Sequence, residues 1–166
     1  MATEGKNLSA LDKRHIPSAA PFRFGIVASE WNAEITDALL KGATDTLLEL
    51  GARRYHVDVK RVPGSFELPI GAKLMIDSGE YDALIAIGSV IQGETRHFEF
   101  VCQAVAQGVK DVGLQTGVPV IFCVLTDDTE KQARDRSGGK HGNKGVESAV
   151  AAVKMAYMKS QLESKE

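Results

Sequence analysis

Two cysteines in 166 residues exclude the disulfide framework of a small secreted domain. Cys102 and Cys123 sit inside apolar segments with no metal-ligand spacing, so they read as buried thiols in a reducing compartment. Neither sign of charge is in surplus: 20 basic against 22 acidic residues gives a formal −2. That balance excludes a general attraction for nucleic acid or for an anionic membrane. No apolar run approaches the ~20 residues that span a bilayer. The opening Met1-Ala-Thr-Glu-Gly-Lys-Asn-Leu-Ser-Ala10 lacks the apolar stretch of a signal peptide, and the expected location is cytoplasmic. Proline is scarce, yet Pro17 and Pro21 both fall within the polar, aperiodic residues 1–21. That segment is expected to be an N-terminal arm, flexible or ordered only against something else.

What is present is ordinary globular material, 43% hydrophobic and 25% charged, in a length suited to one domain over residues 22–166. Phe22–Ala28 is a short apolar run that predicts a buried strand. Residues 32–50 place Ile35, Leu39, Ala43, Leu47 and Leu50 at helical spacing, with Gly51 as a stop. Tyr55–Val62 alternates and is β-branched, a second strand ended by Pro63-Gly64, and Leu68–Ser78 predicts a second helix. Ala83–Gly88 is a third strand, residues 97–114 a third helix and Pro119–Leu125 a fourth strand. A short helix over 129–136, a loop from Ser137 to Gly145 and a helix from Val146 to about Leu162 finish the chain. Apolar strands alternating with helices predict a three-layer α/β/α sandwich around a parallel sheet. Of the topologies that right-handed crossovers permit, the flavodoxin-like order 2-1-3-4 is expected. In such sheets ligands bind beyond the carboxyl ends of the strands, where the order reverses.

Chemistry-bearing residues collect at those ends. After strand 1, Ser29-Glu30-Trp31-Asn32 carries the only tryptophan, which either covers the sheet edge or offers a flat face for a planar heterocycle. After strand 2, Val62-Pro-Gly-Ser-Phe-Glu-Leu-Pro69 places the Ser65 hydroxyl and Glu67 carboxylate at the mouth; both residue types also suit a helix start. After strand 3 comes Ser89-Val-Ile-Gln-Gly-Glu-Thr-Arg-His-Phe98. Amides from Gly93 to Thr95 would face outward at a helix N-terminus, a ready phosphate site. His97 there is either a surface residue or an imidazole placed to move protons. After strand 4, Arg134, Arg136, Lys140, His141 and Lys144 crowd a glycine-rich loop that lacks Walker A spacing. It is either a solvated loop or a set of cations facing a phosphate.

Taken together, "EWN", "VPGSFELP", "GSVIQGETRHFEFV" and "GGKHGNKG" resemble the lumazine synthase (6,7-dimethyl-8-ribityllumazine synthase) family in order and spacing, from about Phe22 to Tyr157. The resemblance implies a transferase of riboflavin biosynthesis. It condenses 5-amino-6-(D-ribitylamino)uracil with 3,4-dihydroxy-2-butanone 4-phosphate and uses no metal or organic cofactor. Residue by residue, it implies that Trp31 stacks on the pyrimidine, while Ser65, Phe66 and Glu67 bind the ribityl chain. Val90 and Ile91 would line the ring pocket, Glu94 and Thr95 would hold phosphate through backbone amides, and Arg136 would bind that phosphate. His97 would transfer protons, and Phe122 and Lys144 would come from a neighbouring subunit. Two departures stand out: Arg96 where the family often has proline or a small residue, and Cys123 where glycine is common.

A site shared between subunits implies a closed ring. The family's pentamers occur free or as twelve in an icosahedral shell, and the short Ser137–Gly145 connection points to the 60-subunit form. The arm 1–21 would then pair along a neighbour's sheet edge, and riboflavin synthase is a possible associate. Two rivals stand beside this reading. A receiver-like signalling module would need an acidic pair after strand 1 and an acceptor aspartate ending strand 3, where this chain has Ala28-Ser29-Glu30 and Gly88-Ser89. The other is a catalytically idle lumazine- or flavin-binding shell protein, against which His97, Arg136 and Glu67 all weigh.

Overall fold

Phe24–Ser29 (β1), a wholly buried run, lies at the centre of a four-stranded parallel sheet in the order β2-β1-β3-β4. In this computed structural model, which describes residues 13–164, the other strands are Val57–Val62 (β2), Ala83–Ile91 (β3) and Val120–Asp127 (β4). Phe24 pairs with Val57 on one side and Ala83 on the other, so β1 and β3 are interior and β2 and β4 are edges. The expected fold class and strand order are those observed.

Successive side chains of a strand point to opposite faces. Phe24, Ile26, Ala28, Ile85 and Ile87 meet Ala33–Glu49 (α1) and Lys144–Glu163 (α5), with Leu39, Leu47 and Val153 between. Val27, Leu84 and Ala86 face Leu68–Ser78 (α2) and His97–Thr116 (α3), packing on Leu68, Val105 and Val109. Each such large side chain contributes about 1.5–3 kcal/mol on full burial, so the two layers pin the sheet from both faces. β2 reads Val-Asp-Val-Lys-Arg-Val and stays partly exposed, as an edge strand must.

The structure departs from the expected boundaries where local packing intervenes. β1 starts at Phe24, because Phe22 turns edge-on to Phe24 (ring centroids 6.4 Å apart) instead of joining the ladder. β2 starts at Val57, after a 3-10 turn over Arg54–His56. β3 and β4 run on together to Ile91 and Asp127, which carries β3 up to the candidate site. The largest correction concerns the expected loop from Ser137 to Gly145. It holds an antiparallel hairpin, Ser137–Gly139 (β5) with Gly142–Asn143 (β6), following the helix Glu130–Arg136 (α4). Gly138 and Gly142 turn the chain at φ 127° and 84°. The Asn143 amide donates to Ala38 O (3.0 Å), fastening the hairpin to α1, and its carbonyl accepts from Gly145 N, so α5 starts at Lys144.

Of the expected arm over 1–21, residues 1–12 lie outside the described residues. The later part rests on its own chain: Ala19 is buried and donates its N–H to Leu50 O (2.9 Å), and Ile16 packs on the α1/α5 core.

Candidate active site

β1 leads through α1 to β2 on one side, and β3 leads through α3 to β4 on the other, so a crevice opens between the ends of β1 and β3. A cavity of about 370 Å³ occupies it. Trp31, Ser65, Phe66, Glu67, Val90, Ile91, Thr95 and His97 line it together.

Each is placed by its own segment. Ser29 Oγ accepts the Trp31 N–H (3.1 Å), and Glu30 N donates to Val62 O (2.8 Å), extending the β1–β2 ladder past the strand. The Trp31 indole, 71% exposed, covers little of the sheet and leaves a face to the cavity. Asn32 follows at φ 56°, ψ 48°, the only non-glycine residue with positive φ among the described residues. Its amide donates to Ser89 O (3.0 Å), bridging the crevice floor.

Across the mouth, Ser65–Glu67 forms a 3-10 turn before α2. Ser65 caps nothing: its Oγ is buried with no hydrogen-bond partner. Glu67 is the α2 N-cap residue but makes no side-chain capping bond, so the helix-start reading leaves both polar groups unexplained. Val90 and Ile91 end β3 at the cavity wall. The turn from Gly93 to Arg96 enters α3, where His97 is the first residue and its N–H reaches Thr95 Oγ1 at 3.4 Å. Glu94 is exposed on that turn between two lining residues and does not itself line the cavity.

Three candidates stand elsewhere in the single chain. Arg136 ends α4 beneath the hairpin, 14% exposed, donating to His141 O (2.8 Å) and ion-paired with Glu147 Oε1 (2.9 Å). Lys144 Nζ lies 3.6 Å from Glu147 Oε2. Burial pushes the neighbouring Asp127 carboxyl up, an effect that the Arg136 guanidinium opposes. Phe122 faces a separate apolar groove of about 710 Å³ between β4, α3 and α5. Cys123 is fully buried beside Ser148, and burial pushes its thiol up to about 11, which leaves it unreactive. Arg96 pairs with Glu99 (3.2 Å) and lies over the Phe100 ring, directed along α3. Among the described residues, no group of three or more His, Cys, Asp or Glu could hold a metal ion.

Sequence reasoning missed Asn32, whose signal was an asparagine just before a helix, the type that tolerates left-handed backbone. Phe98 and Val101, within the expected third helix, were not singled out either; the first turns of α3 overhang the cavity and these two line it.

The profile of the 6,7-dimethyl-8-ribityllumazine synthase family matches residues 21–160. The chain belongs to that family. Proteins bearing the same name are similar to it over nearly their whole length. The one from Christiangramia forsetii is 59% identical over 160 residues, covering 96% of this chain and 95% of that protein. The one from Flavobacterium johnsoniae is 57% identical, covering 97% and 85%. The one from Parabacteroides distasonis is 48% identical, covering 93% and 97%.

Proposed function

We propose that the protein condenses 5-amino-6-(D-ribitylamino)uracil with 3,4-dihydroxy-2-butanone 4-phosphate to 6,7-dimethyl-8-ribityllumazine, the penultimate step of riboflavin biosynthesis. The observation that carries this reading is the cavity that places an exposed indole, a carboxylate turn, the Gly93–Thr95 turn and an imidazole around one space. The amine attacks the ketone, an imine forms with loss of water, phosphate leaves, and the ring closes with loss of a second water. Each step needs positioned groups and proton movement rather than a strong nucleophile on the protein.

Trp31 stacks on the pyrimidine in a pocket that Val90 and Ile91 line, and the Ser65–Glu67 turn takes the ribityl chain, Glu67 accepting from its hydroxyls. The amides around Glu94 and Thr95 meet the phosphate, and His97 moves the protons. Phe122, Arg136 and Lys144 reach the cavity from a neighbouring copy. Phe122 lining a groove of its own instead of this cavity supports that arrangement.

Two unlike apolar surfaces support the assembly. Phe66 on the 3-10 turn and Ile70 and Leu74 on α2, 56–61% exposed, form a stripe at four-residue spacing. The groove at the β4 edge presents Phe122, Leu114, Met158 and Leu162. Unlike patches that fit one another give a head-to-tail ring, not an isologous pair. The proposed assembly is a pentamer, twelve of which form a 60-subunit shell, with residues 22–166 as one catalytic domain. Association with a riboflavin synthase belongs to the same proposal. No helix among the described residues is long and apolar enough to cross a membrane, and a cytoplasmic location is proposed.

The test mixes both substrates with the purified protein and follows lumazine fluorescence. Product forming faster than in the protein-free mixture is expected; the uncatalysed rate would leave the idle shell protein as the reading.

A further inference from the structure

Gly88 lies on β3 on the same face as Leu84, Ala86 and Val90, beneath the Ser65–Glu67 turn. A Cβ at Gly88 would stand 2.5 Å from Ser65 Oγ, 3.2 Å from Ser65 Cβ and 2.9 Å from Leu68 Cδ1. The Ser65 hydroxyl and the Leu68 methyl could rotate aside, but Ser65 Cβ is fixed to its backbone, so an added Cβ would push the turn itself outward by a few tenths of an ångström. The same contact presses Ser65 Oγ against the sheet, where the residue is only 7% exposed and the hydroxyl has no partner. A buried hydroxyl without a bond is a standing penalty, and tight packing alone holds it there. Its release requires a hydroxyl or amide supplied from the cavity, which Ser65 lines. The Glu67 carboxylate on the same turn accepts from such groups and repels an anion.

We propose that Gly88 is a positioning residue: by carrying no side chain it sets the depth of the Ser65–Glu67 turn, and through it the selectivity of the cavity for a polyol-bearing pyrimidine. The inference rests on the reading above that this cavity takes the ribityl-bearing substrate. Gly88 touches no substrate itself; it acts through Ser65 and Glu67. The phosphate end of the site, on the Gly93–Thr95 turn, lies beyond its reach.

The test is Gly88→Ala in the full assembled protein. Quenching of Trp31, the only tryptophan, reads the affinity for the ribitylamino-pyrimidine directly. That affinity should fall roughly tenfold, since displacements of about 1 Å cost up to ~100-fold. KM for the pyrimidine should rise in step, while KM for the butanone phosphate and kcat at saturation change by less than about threefold. General loosening of the fold would not divide the two substrates in this way. Ser65→Gly removes both Ser65 atoms and leaves only the rotatable Leu68 Cδ1 at 2.9 Å, so in that background the same Gly88→Ala change should add less than about threefold. Unchanged pyrimidine affinity, equal rises in both KM values, or an equal loss in both backgrounds would overturn the inference. Should Gly88→Ala not fold, the double variant decides: folding with the affinity of Ser65→Gly alone supports the proposal, and failure to fold overturns it. A wild-type protein that neither binds the pyrimidine nor forms lumazine would defeat the functional reading and this inference with it. A wild type that does both, beside a silent Gly88→Ala, would defeat the inference alone.

Discussion

Asn32 and Ser89 are joined across the crevice by a 3.0 Å bond from the Asn32 amide to the Ser89 carbonyl, at the point where the strand order reverses. The bond fixes the end of β1 against β3 and with it the peptide that carries Trp31. Asn32 also supplies left-handed backbone at φ 56°, which alanine adopts poorly. Asn32→Ala should therefore lose about 1–2 kcal/mol, and Asn32→Gly less, because glycine keeps the conformation while losing the bridge. Calorimetric melting of both variants checks this; a glycine variant as unstable as the alanine one would assign the whole effect to the bond.

His97 begins α3 at the cavity rim, exposed, and among the described residues its hydrogen bonding is through its backbone. Replacing it should slow turnover without loosening the fold. General acid–base groups contribute about 10²–10⁴-fold, and since imine formation between these substrates is intrinsically easy, His97→Ala should fall at or below the lower end. Steady-state kcat measures it, with pyrimidine binding expected to stay as in the wild type. Full turnover would remove His97 from proton transfer.

Much of this was legible in the residues, for physical reasons. The apolar runs of β1 and β3 can be buried only between two helical layers, and four strand ends carrying polar, glycine-rich segments mark the binding edge. The hairpin over Ser137–Asn143 was not legible, because two-residue strands held by positive-φ glycines have no periodicity to read. Nor could periodicity and spacing, without the family resemblance, separate Trp31, Ser65 and His97, which share the cavity, from Phe122, Arg136 and Lys144, which stand apart from it in one chain. That division depends on which face of β4 and of the α4–α5 connection each side chain takes, and glycine-rich segments leave that choice to tertiary packing.

Arg136 should act on one substrate only. Its guanidinium already faces Glu147 at 2.9 Å, so it is held in place before any phosphate arrives. Arg136→Ala should raise the KM for the butanone phosphate by about tenfold or more, with pyrimidine affinity little changed. Equal losses for both substrates would indicate a disturbed hairpin or interface instead of a lost phosphate contact.

At the opposite end of the sheet, Asp58 Oδ2 accepts from Arg23 Nη2 (2.9 Å) and from the Tyr81 hydroxyl (3.1 Å), while Arg23 lies over the Tyr81 ring. The hydrogen bond from Arg23 holds the Asp58 carboxyl below its ordinary value. A carboxyl depressed in the folded state stabilises above its unfolded pKa of ~3.9 and loses that contribution as pH falls through the folded value. Asp58→Asn should thus lower stability at neutral pH by about 1 kcal/mol or less, given the partial exposure of the pair. Denaturant unfolding at a series of pH values should show the gap between wild type and variant closing on the acid side of ~3.9. A gap that stays constant down to the lowest pH would mean that shape, not charge, holds this corner.

Assembly offers the last test, because its two parts can fail separately. In the proposed ring the exposed α2 stripe of one copy meets the β4-edge groove of the next; because the two surfaces differ, such a pairing would repeat around a rotation until the ring closed. A charge placed in the stripe, Ile70→Asp, should therefore break the ring, and with it any activity that depends on residues from a neighbour. Packing of rings into a shell uses other surfaces, and the α4–α5 connection bears on it: Ser137–Asn143 is folded down as a short hairpin tied to α1 through Asn143, with no inserted segment to project between rings. Light scattering on the wild type should accordingly report the 60-subunit mass. A mass near five times 17.9 kDa, unchanged by phosphate or a substrate analogue, would overturn the shell while leaving the ring and the shared site standing. A mass of 17.9 kDa with full activity would overturn both, since one chain alone leaves Phe122, Arg136 and Lys144 away from the cavity.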